Sequence, residues 1–412
     1  MKPQFSHFLL DILHVDQQKP AVSQLGQLSA QDWQIIVDEA IYFRLTYQLQ
    51  SFLATGAQIG SSLPKACHNQ LAETVRATLM HNLWQQHQLH KILLACRDAD
   101  VPVMLLKGLW LTEVVYGDLK ARNSGDIDLM LHPQDMPKFL KIARELGLTT
   151  PVSEGDMVEL MRLQNEIPLY ADNKPSFDIH WSFTRPGEEN PIDEARLWQR
   201  AEYSMVAGLP CLSLCLEDHL LYLCFHTALH HRFLYVGPRA LLDVAKMIYR
   251  PPRPIEWDYF LDSAQDLGWQ RGVGLTLELV RVHLGVSPPL AIMQVLNPTC
   301  VGAAVTAAAL DAVFSGQEIH DSLTPNIVRM LDERSWRKKL LVLMARVCPS
   351  PEVIESMFKQ HDPHASIYSL YVKHWQRLVK DHARKLVNLL FGDRQQRDEL
   401  QRAKLLKNWL DL

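Results

Sequence analysis

The chain lacks what would commit it to a membrane, a disulfide framework or a nucleic-acid backbone. No apolar run in its 412 residues approaches the roughly 20 needed to cross a bilayer. Its first residues, Met-Lys-Pro-Gln-Phe-Ser, do not lead from a cationic segment into a continuous apolar one, so no secretory signal is expected. Seven cysteines, an odd number with no Cys-x-x-Cys step, speak against a disulfide scaffold. Cys211 and Cys215 stand four apart, which is not a structural zinc spacing. The cysteines read as free thiols in a reducing, cytoplasmic compartment. A formal net charge of −4 lacks the basic excess of a general nucleic-acid binder. Only residues 331–412 lean the other way, with 16 Lys and Arg against 10 Asp and Glu, which reads as a solvated helical face. Internal repeats and low-complexity segments are absent too.

What remains is an ordinary globular composition, 47% hydrophobic and 21% charged, in a chain longer than one average domain. Helical spacing dominates residues 1–98, with Trp33, Ile36, Val37 and Ile41 on one stripe and Ser29 with Asp32 as a capping arrangement. A long helix is expected over Leu71–Asp98, with Val75, Leu79, Leu83, Leu89, Leu93 and Leu94 facing the core. Residues 99–190 alternate strand and helix, and 191–412 read as helical almost throughout. The fold class expected is therefore α+β. A small mixed-sheet domain, 99–190, is embedded between an N-terminal helical region and a large C-terminal helical one.

The chemistry is concentrated in the middle segment. An apolar strand, Val103–Leu106, runs into Lys107-Gly108 and a short helix, Leu109–Tyr116, whose free N–H groups would favour phosphate. Ser124-Gly125-Asp126-Ile127-Asp128-Leu129-Met130-Leu131 then reads as a second strand. Side chains at i and i+2 of a strand share a face, so Asp126 and Asp128 project together, opposite Ile127 and Leu129. Two like charges that close call for a cation or a proton between them, and Mg²⁺ or Mn²⁺ answers this. A third alternating strand, Phe177-Asp178-Ile179-His180, adds Asp178 and His180 on one face. It is expected to pair with Glu166–Tyr170 through a turn at Asp172-Asn173-Lys174-Pro175. Three strand-borne carboxylates suit a metal site that handles phosphoryl groups.

Further along, Glu217–His231 reads as an apolar helix bearing His219, His226, His230 and His231. His226 and His230, four apart, share a face; no Glu intervenes as in a zinc protease helix. Arg122 could reach a phosphate or lie on the surface. Arg239 and Asp243, again four apart, could pair along their helix.

These motifs resemble the DNA polymerase β-type nucleotidyltransferase superfamily and, more narrowly, its uncharacterised bacterial branch, nucleotidyltransferase family five. The resemblance rests on Lys107-Gly108, the Asp126-Ile127-Asp128-Leu129 strand, the Asp178-Ile179-His180-Trp181 strand and the histidine-rich helix ending in Leu241-Leu242-Asp243-Val244-Ala245. The Gly-Ser of the broader superfamily is replaced by Lys107-Gly108, and the gap before Asp126 is longer. The resemblance implies transfer of a nucleoside monophosphate from an NTP, ATP among the candidates, to a hydroxyl acceptor. Asp126, Asp128 and Asp178 would be metal-binding and catalytic. Lys107, Gly108, Arg122, His180, His226 and His230 would contact nucleotide or acceptor. The acceptor would be a small molecule, peptide or protein; a nucleic acid is not favoured, and no membrane is expected. The competing readings are a non-catalytic nucleotide-binding module on the same fold and a toxin-like enzyme that modifies tRNA or protein.

Overall fold

Every second residue of two neighbouring strands is apolar and fully buried: Ile127, Leu129 and Leu131 on one, Phe177 and Ile179 on the other. That period of two builds a sheet with one apolar face, and the rest of the fold covers it. The computed structural model describes residues 3–15, 28–55, 63–150, 157–171, 176–184, 192–234, 236–296, 301–315, 347–348, 354, 366–376 and 394–410. The chain divides into two units, Met1–Val313 and Phe314–Leu412.

The first unit opens with helices α1 (Pro3–Leu13), α2 (Ala30–Tyr42), α3 (Thr46–Thr55) and α4 (Lys65–Asp98). Ser29 and Asp32 form the expected reciprocal cap on α2, each side chain accepting from the other residue's backbone N–H at 3.2 Å. Strand β1 (Val103–Leu105), a π-helical segment α5 (Leu111–Tyr116) and strand β2 (Ile127–Leu131) follow. Next come α6 (Met136–Glu145), α7 (Met157–Leu163), β3 (Glu166–Leu169) and β4 (Phe177–His180). Then α8 (Glu194–Arg200) leads to a hairpin of β5 (Glu202–Val206) and β6 (Leu209–Ser213). Helix α9 (Leu216–Phe225) widens into a π-helical turn over His226–His230, and α10 (Pro238–Tyr249), α11 (Trp257–Asp266), α12 (Gln270–Leu284), α13 (Leu290–Leu296) and α14 (Ala303–Val313) complete the unit.

The six strands form one mixed sheet in the order β3-β4-β2-β1-β6-β5. Its β5–β6 hairpin corrects the reading of everything after Asp193 as helical. The two-residue turn Ala207-Gly208 has both φ angles positive, +52° and +74°, the geometry that matches the twist of a hairpin. Asn-Gly or Asp-Gly would have announced that turn, and Ala-Gly does not.

Helix α4 corrects a second expectation. Leu83, assigned to the core, is 41% exposed. The buried stripe instead runs Leu71, Val75, Thr78, Asn82, Gln85, Leu89 and Ile92. Its centre is polar because it faces the backbone of a loop, as described below. In the second unit, a helix covers 367–376 and another covers Arg394–Leu410. Of the C-terminal region expected to be helical, residues 316–346 lie outside the described residues. So does the turn Asp172–Pro175.

Candidate active site

Strands β2 and β4 run parallel, with Asp128 beside Asp178 and Met130 beside His180. Antiparallel β3 adds Glu166 opposite His180. Strand alternation therefore puts Asp128, Asp178, His180 and Glu166 on one face and the apolar set on the other. Asp126 lies one residue before β2 and is exposed, whereas Asp128 is buried. The carboxylates feel one another. Burial, then Asp128 and Asp126, push the Asp178 carboxyl up to about 7.

Lys107 answers part of this charge. Its ammonium lies 3.2 Å from Asp128 Oδ1 and donates to His226 Nε2 at 3.1 Å. Burial works against the charged amine, but Asp128, Tyr222 and Asp126 outweigh it and hold its proton above the usual lysine range. Burial likewise works against the Asp128 carboxylate, yet Lys107 and His180 keep its pKa below the ordinary value. His180 bridges two carboxylates, with Nε2 3.3 Å from Asp128 Oδ1 and Nδ1 3.1 Å from Glu166 Oε2.

Gly108 makes the close turn between Lys107 and α5. Its φ is +60°, and a Cβ there would sit 3.1 Å from Ser124 Oγ and 3.2 Å from Asp126 O. Only glycine combines that backbone with that approach.

The loop before Asp126 is held by α4. Buried Asn82 donates to Leu119 O at 2.6 Å and Arg122 O at 2.7 Å, and accepts from Ser124 N–H at 3.2 Å. Gln85 donates to Gly125 O, and His81 Nε2 lies 3.0 Å from Ser124 O. Sequence reading missed Asn82, Gln85 and Glu166. Thr78, Asn82 and Gln85 interrupting the buried helical stripe were the available signal for the first two.

Arg122 is not on the surface. It is buried in a fork on Asp243, Nε to Oδ1 at 2.8 Å and Nη2 to Oδ2 at 2.9 Å, and Nη1 donates to Gly108 O at 3.0 Å. Tyr116 also donates to Asp243, at 2.8 Å. Asp243 is thus taken by Arg122 rather than by Arg239, whose guanidinium donates to Asn123 O.

The histidine turn closes the site on the Lys107 side. His231 Nε2 is 3.2 Å from His226 Nε2, and the His226 and His230 rings stack with centroids 5.6 Å apart. Burial first, then Lys107, His231 and His230, hold His226 well below the ordinary imidazole range. Neutral, His226 can accept from the Lys107 ammonium at Nε2. His219 points elsewhere, stacked 3.8 Å from the Trp110 ring. The six described cysteines are free. Among the described residues no three His, Cys, Asp or Glu side chains already form a metal cage, and no helix is long and apolar enough to cross a membrane.

Known proteins give two matches and one blank. No curated protein matches the chain. The solution structure of the antibiotic-resistance factor ANT(2'')-Ia matches at 17% identity over 48% of this chain and 89% of that one, with a TM-score of 0.29. Residues 29–285, which include every strand among the described residues and the histidine turn, match a protein family. The chain belongs to that family, described as uncharacterised nucleotidyltransferases.

Proposed function

We propose that the protein is a metal-dependent nucleotidyltransferase that moves a nucleoside monophosphate from an NTP to a hydroxyl acceptor. The observation that carries this reading is the β2–β4 register, with Asp128 beside Asp178 and Asp126 two residues before Asp128. The donors are carboxylate oxygens, which fit a hard divalent cation, Mg²⁺ or Mn²⁺. Mg²⁺ is ordinarily held by one or two carboxylates, waters and the substrate's own phosphates, so the lack of a ready cage among the described residues accords with it. Asp126, Asp128 and Asp178 would hold the ion, which when bound offsets charge on the phosphate oxygens.

The acceptor oxygen attacks the α-phosphorus, the bond to the β-phosphate oxygen breaks, and pyrophosphate leaves with the electron pair. Asp178 takes the hydroxyl proton. Lys107 keeps Asp128 ionised. Its ammonium has three N–H donors, and with Asp128 and His226 taking two, one remains for a phosphate oxygen. Glu166 and His180 fix the Asp128 carboxylate from the other side. His226 and His230 border the acceptor. Arg122 serves as the brace of the Gly108 turn rather than as a phosphate ligand. The acceptor is a small-molecule, peptide or protein hydroxyl, in keeping with the acidic net charge.

The first experiment is thermal stabilisation by ATP, GTP, CTP and UTP, with and without Mg²⁺, on wild type and Asp128→Asn. Ligand binding to the folded state raises apparent stability by mass action. One Mg²⁺-dependent shift, lost in the variant, is expected and would name the base. The absence of any shift in the wild type would sink the donor-site reading.

A further inference from the structure

The cations nearest Asp128 and the Gly108 turn already have protein partners. Lys107 sits on Asp128, Arg122 is forked on Asp243, and Arg239 donates to Asn123 O. One guanidinium beside the site is not. Arg44 is exposed, and among the described residues no acceptor holds its side chain. Its Nη1 lies against the loop that carries Asp126, 3.3 Å from where a Cβ on Gly125 would be.

The fold delivers Arg44 there through its two neighbours. Its neighbours Phe43 and Leu45 are both buried, and the Phe43 ring lies against Gly237, with Cδ1 3.3 Å from where a Cβ there would be. The residue between these two anchors is turned outward in the left-handed position that closes α2, with φ +58° and Leu45 N–H donating to Ala40 O at 2.7 Å.

A second observation is electrostatic. Three guanidiniums, of Arg44, Arg122 and Arg239, crowd the loop 122–125, and of these only Arg122 is paired with a carboxylate among the described residues. Burial first, then Arg122 and Arg44 against the pull of Asp243, bring Arg239 down to about 10. An anion placed beside Gly125 would relieve that repulsion.

We propose that Arg44 is the residue that grips the polyphosphate of the nucleoside triphosphate donor, entering the site from the α2–α3 connection. The inference rests on the nucleotidyltransferase reading above and assigns its donor contact to a part of the chain far in sequence from the Lys107–Asp178 motifs. It also gives the N-terminal helices a direct task. They supply a charge to the site as well as holding its loop through Asn82 and Gln85.

The test compares wild type, Arg44→Gly and Arg44→Lys by titration calorimetry with NTP, NDP and NMP of the same base in the presence of Mg²⁺. Glycine relaxes the left-handed backbone while removing the charge, so Arg44→Gly should melt at or above the wild-type temperature without nucleotide. The same variant should bind NTP at least tenfold more weakly and NMP nearly as before. Arg44→Lys should recover most of the NTP affinity. If Arg44→Gly binds NTP as wild type does, Arg44 is not the grip, and the donor site stands without it. A parallel loss of NTP and NMP binding with a lower melting temperature would also overturn the assignment, marking Arg44 as structural. Should wild type itself bind no NTP, the donor-site reading falls and this inference with it.

Discussion

Two aspartates flank the Gly108 turn, and both are 3% exposed, yet their surroundings differ in a way that separates scaffold from site. Asp243 is saturated: Arg122 meets both carboxylate oxygens and Tyr116 adds a third donor. Asp128 is lopsided. Lys107 and His180 both converge on Oδ1, and two more carboxylates, Asp178 and Asp126, stand near enough to perturb one another. A planar fork on a carboxylate fixes geometry in two directions, whereas a single ammonium on one oxygen fixes charge and little else. The comparison teaches that the first pair is built to hold Gly108 still and the second to be completed by something brought in.

Substituting each aspartate in turn should pull these roles apart. Asp128→Asn should lower NMP transfer by a factor on the order of 10²–10³ or more. It should cost less than about 2 kcal/mol of stability, because Lys107 keeps His226 and some solvent contact. Asp243→Ala should do the reverse. It strands the Arg122 guanidinium as a buried charge and should cost about 3–5 kcal/mol in urea unfolding. If Asp243→Ala proved as stable as wild type, the division between brace and site would be wrong.

The turn between the two pairs should report a smaller effect. Gly108→Ala places a Cβ on a φ of +60° and against Ser124 Oγ and Asp126 O. The left-handed backbone alone costs roughly 1–2 kcal/mol. Because one of the two contacts is backbone next to the acidic strand, NTP-induced stabilisation should fall along with the melting temperature. An unchanged nucleotide response in a variant destabilised by this amount would uncouple Gly108 from the donor site.

The same contrast explains how much of the molecule could be read from its sequence. Strands β2 and β4 were legible because Ile127, Leu129, Phe177 and Ile179 carry the period-two signal locally, and the acidic positions follow from it. The partners of those residues were not legible. Lys107 with Asp128 joins neighbouring elements, but Arg122 with Asp243 spans 121 positions, and Asn82 with Arg122 spans 40. Such pairings are decided by how elements pack, and no local pattern records them. Hence Arg239, four residues from Asp243 on the same helix, looked the better partner. Asn82 looked like a polar interruption in a stripe that Leu83 was thought to continue. The β5–β6 hairpin was hidden for a local reason, since Ala207 occupies a left-handed turn position where Asn, Asp or Gly is the usual sign.

The last effect expected is one of pH, and it belongs to the open cluster alone. An aspartate's ordinary value is about 3.8, and burial with Asp128 and Asp126 raises that of Asp178 to about 7. Between those values the folded chain keeps a proton on Asp178 that the unfolded chain releases. The stabilisation from this group is therefore fully present below about pH 4 and is lost as pH rises through about 7. Thermal melts of metal-free protein should show this as a decline from pH 5 to pH 8. Asp178→Asn cannot ionise, so its melting temperature should decline less and cross the wild-type curve in that window. Millimolar Mg²⁺ should shrink the difference at pH 8, since a bound cation offsets the same repulsion that the proton does. Equal pH slopes in wild type and variant would mean that the Asp178 carboxyl does not feel Asp126 and Asp128. The three would then not act as one cluster.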